Sequence, residues 1–244
     1  MAVPQQHHAA ALTPIAVTRS SRLGSNIALL AGLVILAALW LGPLPEMSRR
    51  AFSPHMILHL SIVTVASPLL AYGVAAYLPA MRNFRDAISW LLLATVFEMV
   101  VVWGWHVPVL HSYAALHDGA FVLQQLSFLL AGLAVWTAAF NAGSPAAAAA
   151  GSIALFLTFM HMSMFGLLLT LAPRLLYPPE LCLGAFGLNS LEDQQFGGLL
   201  MAVVGGMPYL AGAAVSAYRA LGRDERPDTE VSGRPVLNRA KSNS

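Results

Sequence analysis

The chain has 244 residues, 57% hydrophobic and only 10% charged, with a formal net charge of +2. A soluble domain carries roughly 25% charged residues, so there is too little charge here to cover a water-facing surface, and the implied solvent is lipid. The small net charge and the lack of a long basic stretch argue against nucleic acid. The single cysteine, Cys182, excludes an internal disulfide and a paired-cysteine metal site.

Residues 1–23, with His7, His8, Arg19 and Arg22, read as a flexible N-terminal tail. The run Asn26–Leu41 falls slightly short of the about 20 residues of a span. An uncleaved anchor is favoured over a signal peptide, because Leu41-Gly42-Pro43 lacks a small-x-small cleavage pattern. The runs His55–Leu78, Ala87–Val107, Phe121–Phe140, Ile153–Ala172 and Phe196–Tyr218 follow. Each is long enough to cross about 30 Å of hydrocarbon as a helix, and none alternates as a barrel strand does. Asn141 to Pro145 and the alanines after it read as a short turn leading into a helix, and residues 222–244 as a disordered C-terminal tail. The expected fold is all-α, a polytopic membrane helix bundle of about six transmembrane helices over residues 24–221.

With that span count, Arg19, Arg22, Arg82, Arg85, Arg219, Arg223 and Arg226 share one side, against Arg49, Arg50 and Arg174 on the other. Positive charge collects on the cytoplasmic side, so both termini are expected there. The polar residues then sort by depth. His55 and His59 open the second span near its outer end. Glu98 and His106 lie in the outer half of the third, and His111 and His117 in the outer loop after it. Gln124 and Gln125 begin the fourth span, His161 lies in the outer half of the fifth, and Glu192, Asp193, Gln194 and Gln195 precede the sixth. Every histidine beyond the N-terminal tail is on the outer side.

His55-Met56-Ile57-Leu58-His59 sets two imidazoles at i and i+4, about 40° apart on one helical face. Such a pair can hold a metal with a third ligand from another helix; it can equally cap a helix start at the interface. His161 and Met164 are neighbours at i and i+3, an imidazole–thioether set suited to copper(I), although methionine also fills gaps in packing. Intramembrane ionisable residues face a partner or a cavity, which applies to His161 and to Glu98. A proton or cation path from Glu98 to His106, and a structural hydrogen bond to another helix, are both open readings. Ser190 to Asp193 fits a capping box, which leaves the amides of Gln194 and Gln195 unexplained. Gly198, Ala202 and Gly206 recur every four residues, as suits close helix packing, and Pro208 is placed to kink that helix. No nucleophile elbow, P-loop, HExxH or GxGxxG motif is present, so no enzymatic activity is expected.

Three segments carry a family resemblance: His55-Met-Ile-Leu-His59-Leu with Ala66-Ser-Pro68-Leu-Leu70, the aromatic span Leu126 to Trp136, and Leu176-Tyr-Pro178 with Gly187 to Met201. Across roughly residues 52–220 the chain resembles the multi-pass CtaG-like cytochrome c oxidase assembly family. The resemblance implies an integral factor of the bacterial inner (plasma) membrane that matures haem–copper oxidase, with a role in copper supply. Two departures stand out: many relatives have a further span, and a proline of the relatives' second motif is Ser67 here. An unrelated single-span copper chaperone shares the family's name, but its paired-cysteine mechanism does not carry over to a chain with only Cys182.

Motif positions and depth converge on an outward-facing copper pocket formed by His55, His59 and His161. Met164 is the soft fourth ligand, and His106, Asp193 and Glu98 are supporting or entry groups. Copper then passes to an oxidase subunit or a periplasmic copper chaperone. Three rival readings are a haem-binding membrane cytochrome using His59 and His161, a copper or cation transporter, and a structural chaperone for an oxidase subunit. A transporter needs polar residues through the inner half, where Ser89, Thr95, Ser152 and Ser216 are few.

Overall fold

Each apolar run folds as a helix. The computed structural model describes residues 15–80 and 84–221; most of both expected tails, with Arg19, Arg82, Arg223 and Arg226, falls on residues or side chains outside that description. The helices are α1 (Ile15–Leu41), α2 (Leu44–Ser48), α3 (Phe52–Ala75), α4 (Phe84–Trp105), α5 (Pro108–Leu116), α6 (Asp118–Phe140), α7 (Pro145–Thr170) and α8 (Ser190–Leu221). Six of them are long and apolar enough to cross a membrane. No strand occurs among the described residues, so the all-α bundle expected from the composition is what forms.

The differences from the sequence reading lie at helix starts and in the outer loops. α1 begins at Ile15, inside the stretch read as tail. α7 begins at Pro145, before the expected Ile153. Pro145 is pre-set for a first helical turn, the Ser144 hydroxyl accepts from Ala147 N at 3.1 Å, and the alanines that follow have the highest helix propensity. The stretch read as an outer loop after the third span contains α5, which also opens on a proline, Pro108.

α3 is the most enclosed span, packed against α1, α6 and α8, while α4 lies against α6 and α7 and α7 lies along α8. At the α7–α8 seam the backbones nearly touch. A Cβ on Gly198 would stand 2.6 Å from Thr170 N and 2.8 Å from the Gly166 carbonyl oxygen, so the small-residue stripe of α8 is used for packing inside the chain. Phe52, Met56, Phe128, Met162 and Met201 fill the interior, and Leu30, Leu93, Val100, Leu130 and Leu168 face outward.

α3 and α8 each contain one π-helical turn, at Ile62–Ala66 and Met201–Gly205. Each lies just ahead of a proline, Pro68 and Pro208. A proline ring clashes with the carbonyl four residues back and offers no N–H. Widening the turn relieves the clash but frees carbonyls. One of them, Val63, accepts from the Trp136 indole at 3.0 Å.

A buried histidine cluster as candidate functional site

The first turn of α3 carries no cap of its own: Ala51 precedes it in extended conformation without a side-chain acceptor. Asp193 supplies the cap from α8. Its carboxylate accepts from Phe52 N at 2.7 Å, from Ser53 N at 3.2 Å and from the Ser53 hydroxyl, and it is fully buried. Asp193 is free to do this because the capping box of α8 lies one residue earlier than the sequence suggests. Asn189 accepts from Leu191 N and Glu192 N at 3.0 Å, and Glu192 accepts from Asn189 N at 2.9 Å. The two glutamines that the box leaves unexplained tie down the chain after α7. Gln194 accepts from Leu176 N at 2.7 Å and donates to the Arg174 carbonyl at 3.3 Å; Gln195 donates to the Ala172 carbonyl at 3.1 Å.

This framework holds four histidines together. His55 and His59 come from the outer turns of α3, His106 from the end of α4, and His111 from α5. Ring centroids are 4.7 Å apart for His55–His111, 5.3 Å for His55–His106, 5.4 Å for His59–His106 and 6.4 Å for His55–His59. Phe128 of α6 lies 4.0 Å from the His59 ring. On the other side Phe52 and Tyr177 stack at 4.7 Å, and Tyr177 lies 4.7 Å from His111. The Tyr177 hydroxyl donates to the His106 carbonyl at 2.9 Å, fixing the hinge between α4 and α5. All four histidines are buried.

Buried polar atoms are normally hydrogen-bonded, and most of these ring nitrogens are not. His55 Nε2, both nitrogens of His59, His106 Nε2 and His111 Nδ1 have no partner. His106 Nδ1 lies 2.6 Å from the Val102 carbonyl; as the donor there, it leaves Nε2 as a free lone pair. Burial pulls His106 down to about 4, a fall partly offset by that bond, and pulls His111 down to about 3, helped by the neighbouring His106. Both rings are therefore neutral at physiological pH, the form in which imidazole binds metal. Among the described residues no three or more histidine, cysteine, aspartate or glutamate groups converge as a formed metal site. His55–His106, His55–His111 and His59–His106 meet edge-on, whereas the His55 and His59 rings are nearly parallel.

The remaining sequence-predicted residues fall elsewhere. His161 is buried on α7 with both nitrogens unpartnered, but its ring touches none of the four. Met164 is 49% exposed on the outside of α7. Glu98 is fully buried two turns inward of His106 and accepts from the Tyr209 hydroxyl. Asp193 supports the cluster through the backbone of α3. Sequence reasoning passed over His111 as a member of the cluster, because it read as loop. The available signal was Pro108, which starts a new helix and turns its first buried face, at His111, back toward His106. Cys182 is buried, its thiol pushed up to about 12 by burial and by nearby Asp193, and it neighbours Tyr177 at the edge of the cluster.

No curated protein and no solved structure matches this chain. The family described as cytochrome c oxidase caa3 assembly factor matches residues 10–223, nearly the whole sequence, and the protein belongs to that family.

Proposed function

We propose that this assembly factor is an integral protein of the bacterial inner membrane that binds copper at the histidine cluster and passes it to an oxidase subunit or a periplasmic copper chaperone. The observation that carries the reading is the set of four buried histidines, each with at least one ring nitrogen that lacks a partner. Orphaned neutral imidazoles in one place are costly unless something uses them, and imidazole is a ligand type that suits copper. Ring rotations about the side-chain torsions would turn edge-on rings into a convergent set. The apolar exteriors of the six long helices suit lipid, and the arginine distribution supports a cluster at the non-cytoplasmic end, where a periplasmic donor or acceptor would have access. The proposed ligands are His55, His59, His106 and His111: His55 and His59 are kept from the set expected from the sequence, and His106 and His111 take the places of His161 and Met164.

The test is metal content and visible absorption of the detergent-purified protein loaded with copper(I), beside the His55→Ala/His59→Ala and His106→Ala/His111→Ala double variants. The expected result is near-stoichiometric copper, no Soret band, and loss of copper in both variants. Copper retained in both would overturn the site. A Soret band would establish a haem protein instead, and neither metal nor haem would make the protein a scaffold for assembly.

A further inference from the structure

Inward of the histidines, the bundle encloses a second polar group. Glu98 of α4 is fully buried, as is Tyr209 of α8, whose hydroxyl donates to Glu98 Oε1. The Tyr209 ring stacks on Trp136 of α6 at 5.0 Å, and that indole is engaged by the Val63 carbonyl. α7 brings Thr158 beside the carboxyl. Oε2 of Glu98 and Oγ1 of Thr158 have no hydrogen-bond partner, and neither does Oγ1 of Thr95, one turn inward on α4. Tyr209 is the titratable group that faces Glu98; along the α7 seam His161 comes next, one turn outward of Thr158.

An ionised carboxylate in this setting has only the Tyr209 and Thr158 hydroxyls beside it and no cation, which leaves a buried charge poorly compensated. With a proton on Oε2 the group is neutral, and its O–H has the Thr158 hydroxyl beside it as acceptor. Thr158 can pair with Glu98 in either state, so the proton is favoured by the burial of a carboxyl that no cation faces. We propose that Glu98, Tyr209 and Thr158 form a buried proton-binding site, separate from the histidine cluster, that releases its proton when a cation enters that cluster. The coupling rests on the copper reading; the proton site does not.

Glu98 and His106 lie eight residues apart on one helix, about 12 Å at the helical rise. At that distance and an effective dielectric near 20, a unit positive charge weakens proton binding by about tenfold. The charge balances: one cuprous ion enters the cluster, and one proton leaves Glu98 for solvent, leaving the carboxylate.

The experiment is infrared difference spectroscopy of the full-length purified protein over a pH titration, for wild type, Glu98→Gln and Tyr209→Phe. The expected result is a protonated-carboxyl carbonyl band that titrates in wild type, is absent in Glu98→Gln, and is shifted in frequency in Tyr209→Phe, which keeps the ring stacked on Trp136. Adding cuprous ion should move the titration midpoint down by about one pH unit. A band unchanged in Glu98→Gln, or no titrating band at all, overturns the proton site. A titrating Glu98 band in a protein that takes up no copper supports the site and removes the copper reading. Copper uptake with an unmoved midpoint overturns the coupling.

Discussion

Asp193 governs the geometry of the histidine end without touching a histidine. Its carboxylate satisfies three donors at the start of α3, and the helix it begins carries His55 and His59 on its next turns. Asp193→Ala leaves those donors unpaired in a buried place, a loss of about 3 kcal/mol by the usual cost of orphaned groups and missing caps. Thermal unfolding in detergent should show the lowered midpoint, with weakened copper uptake in the protein that remains folded. The histidines add a pH dependence. In the unfolded chain they take up protons near 6.5, whereas folded His106 and His111 do so at about 4 and about 3. Between those values the unfolded state binds more protons, so stability rises with pH and is lost as pH falls through the window. The unfolding midpoint should drop between pH 7 and pH 5, and His106→Gln/His111→Gln should flatten that slope. At this scale the sequence was half legible. His55 and His59 could be read because i and i+4 spacing is a property of one helix. The meeting of His106 and His111 with them depends on how α4, α5 and α3 pack, which no local spacing encodes.

The long helices were legible at the element scale, because apolar runs of spanning length have few alternatives to helix. Their exact starts were not, since each depends on a cap such as Ser144, or on a remote one such as Asp193. The π turns at Ile62–Ala66 and Met201–Gly205 were hidden as well, though in retrospect Pro68 and Pro208 mark them: a proline inside a span needs a wider turn just before it. The glycine stripe of α8 was visible, but its partner was not, and the structure identifies it as α7. Gly198→Leu forces a side chain into the Gly166 and Thr170 backbone. Overpacking of this kind costs about 1–3 kcal/mol or more, so the variant should unfold at a lower temperature than wild type. Gly119→Leu, at a site with open space around it, should leave the midpoint nearly unchanged.

For the whole molecule, the arrangement is a bundle with its unsatisfied imidazoles at one end and a carboxyl deeper in the interior, enclosed by helices whose outer faces are apolar. The family membership places it in oxidase assembly; the one-sided histidines suggest which face of the membrane that work uses. Reporter fusions at the C terminus and in the segment between α7 and α8 should give cytoplasmic and periplasmic signals respectively, and the reverse pattern would put the cluster on the wrong side for a periplasmic exchange partner. In the proposed function, copper is held by imidazoles of α3, α4 and α5 rather than by sulfur. X-ray absorption at the copper edge of the copper(I)-loaded protein tests it most directly. The expected result is nitrogen neighbours with the multiple scattering of imidazole and no sulfur shell, since Met164 is half-exposed on the outside of α7 and burial holds the Cys182 thiol protonated. A sulfur shell around the copper, or no imidazole scattering, would contradict it.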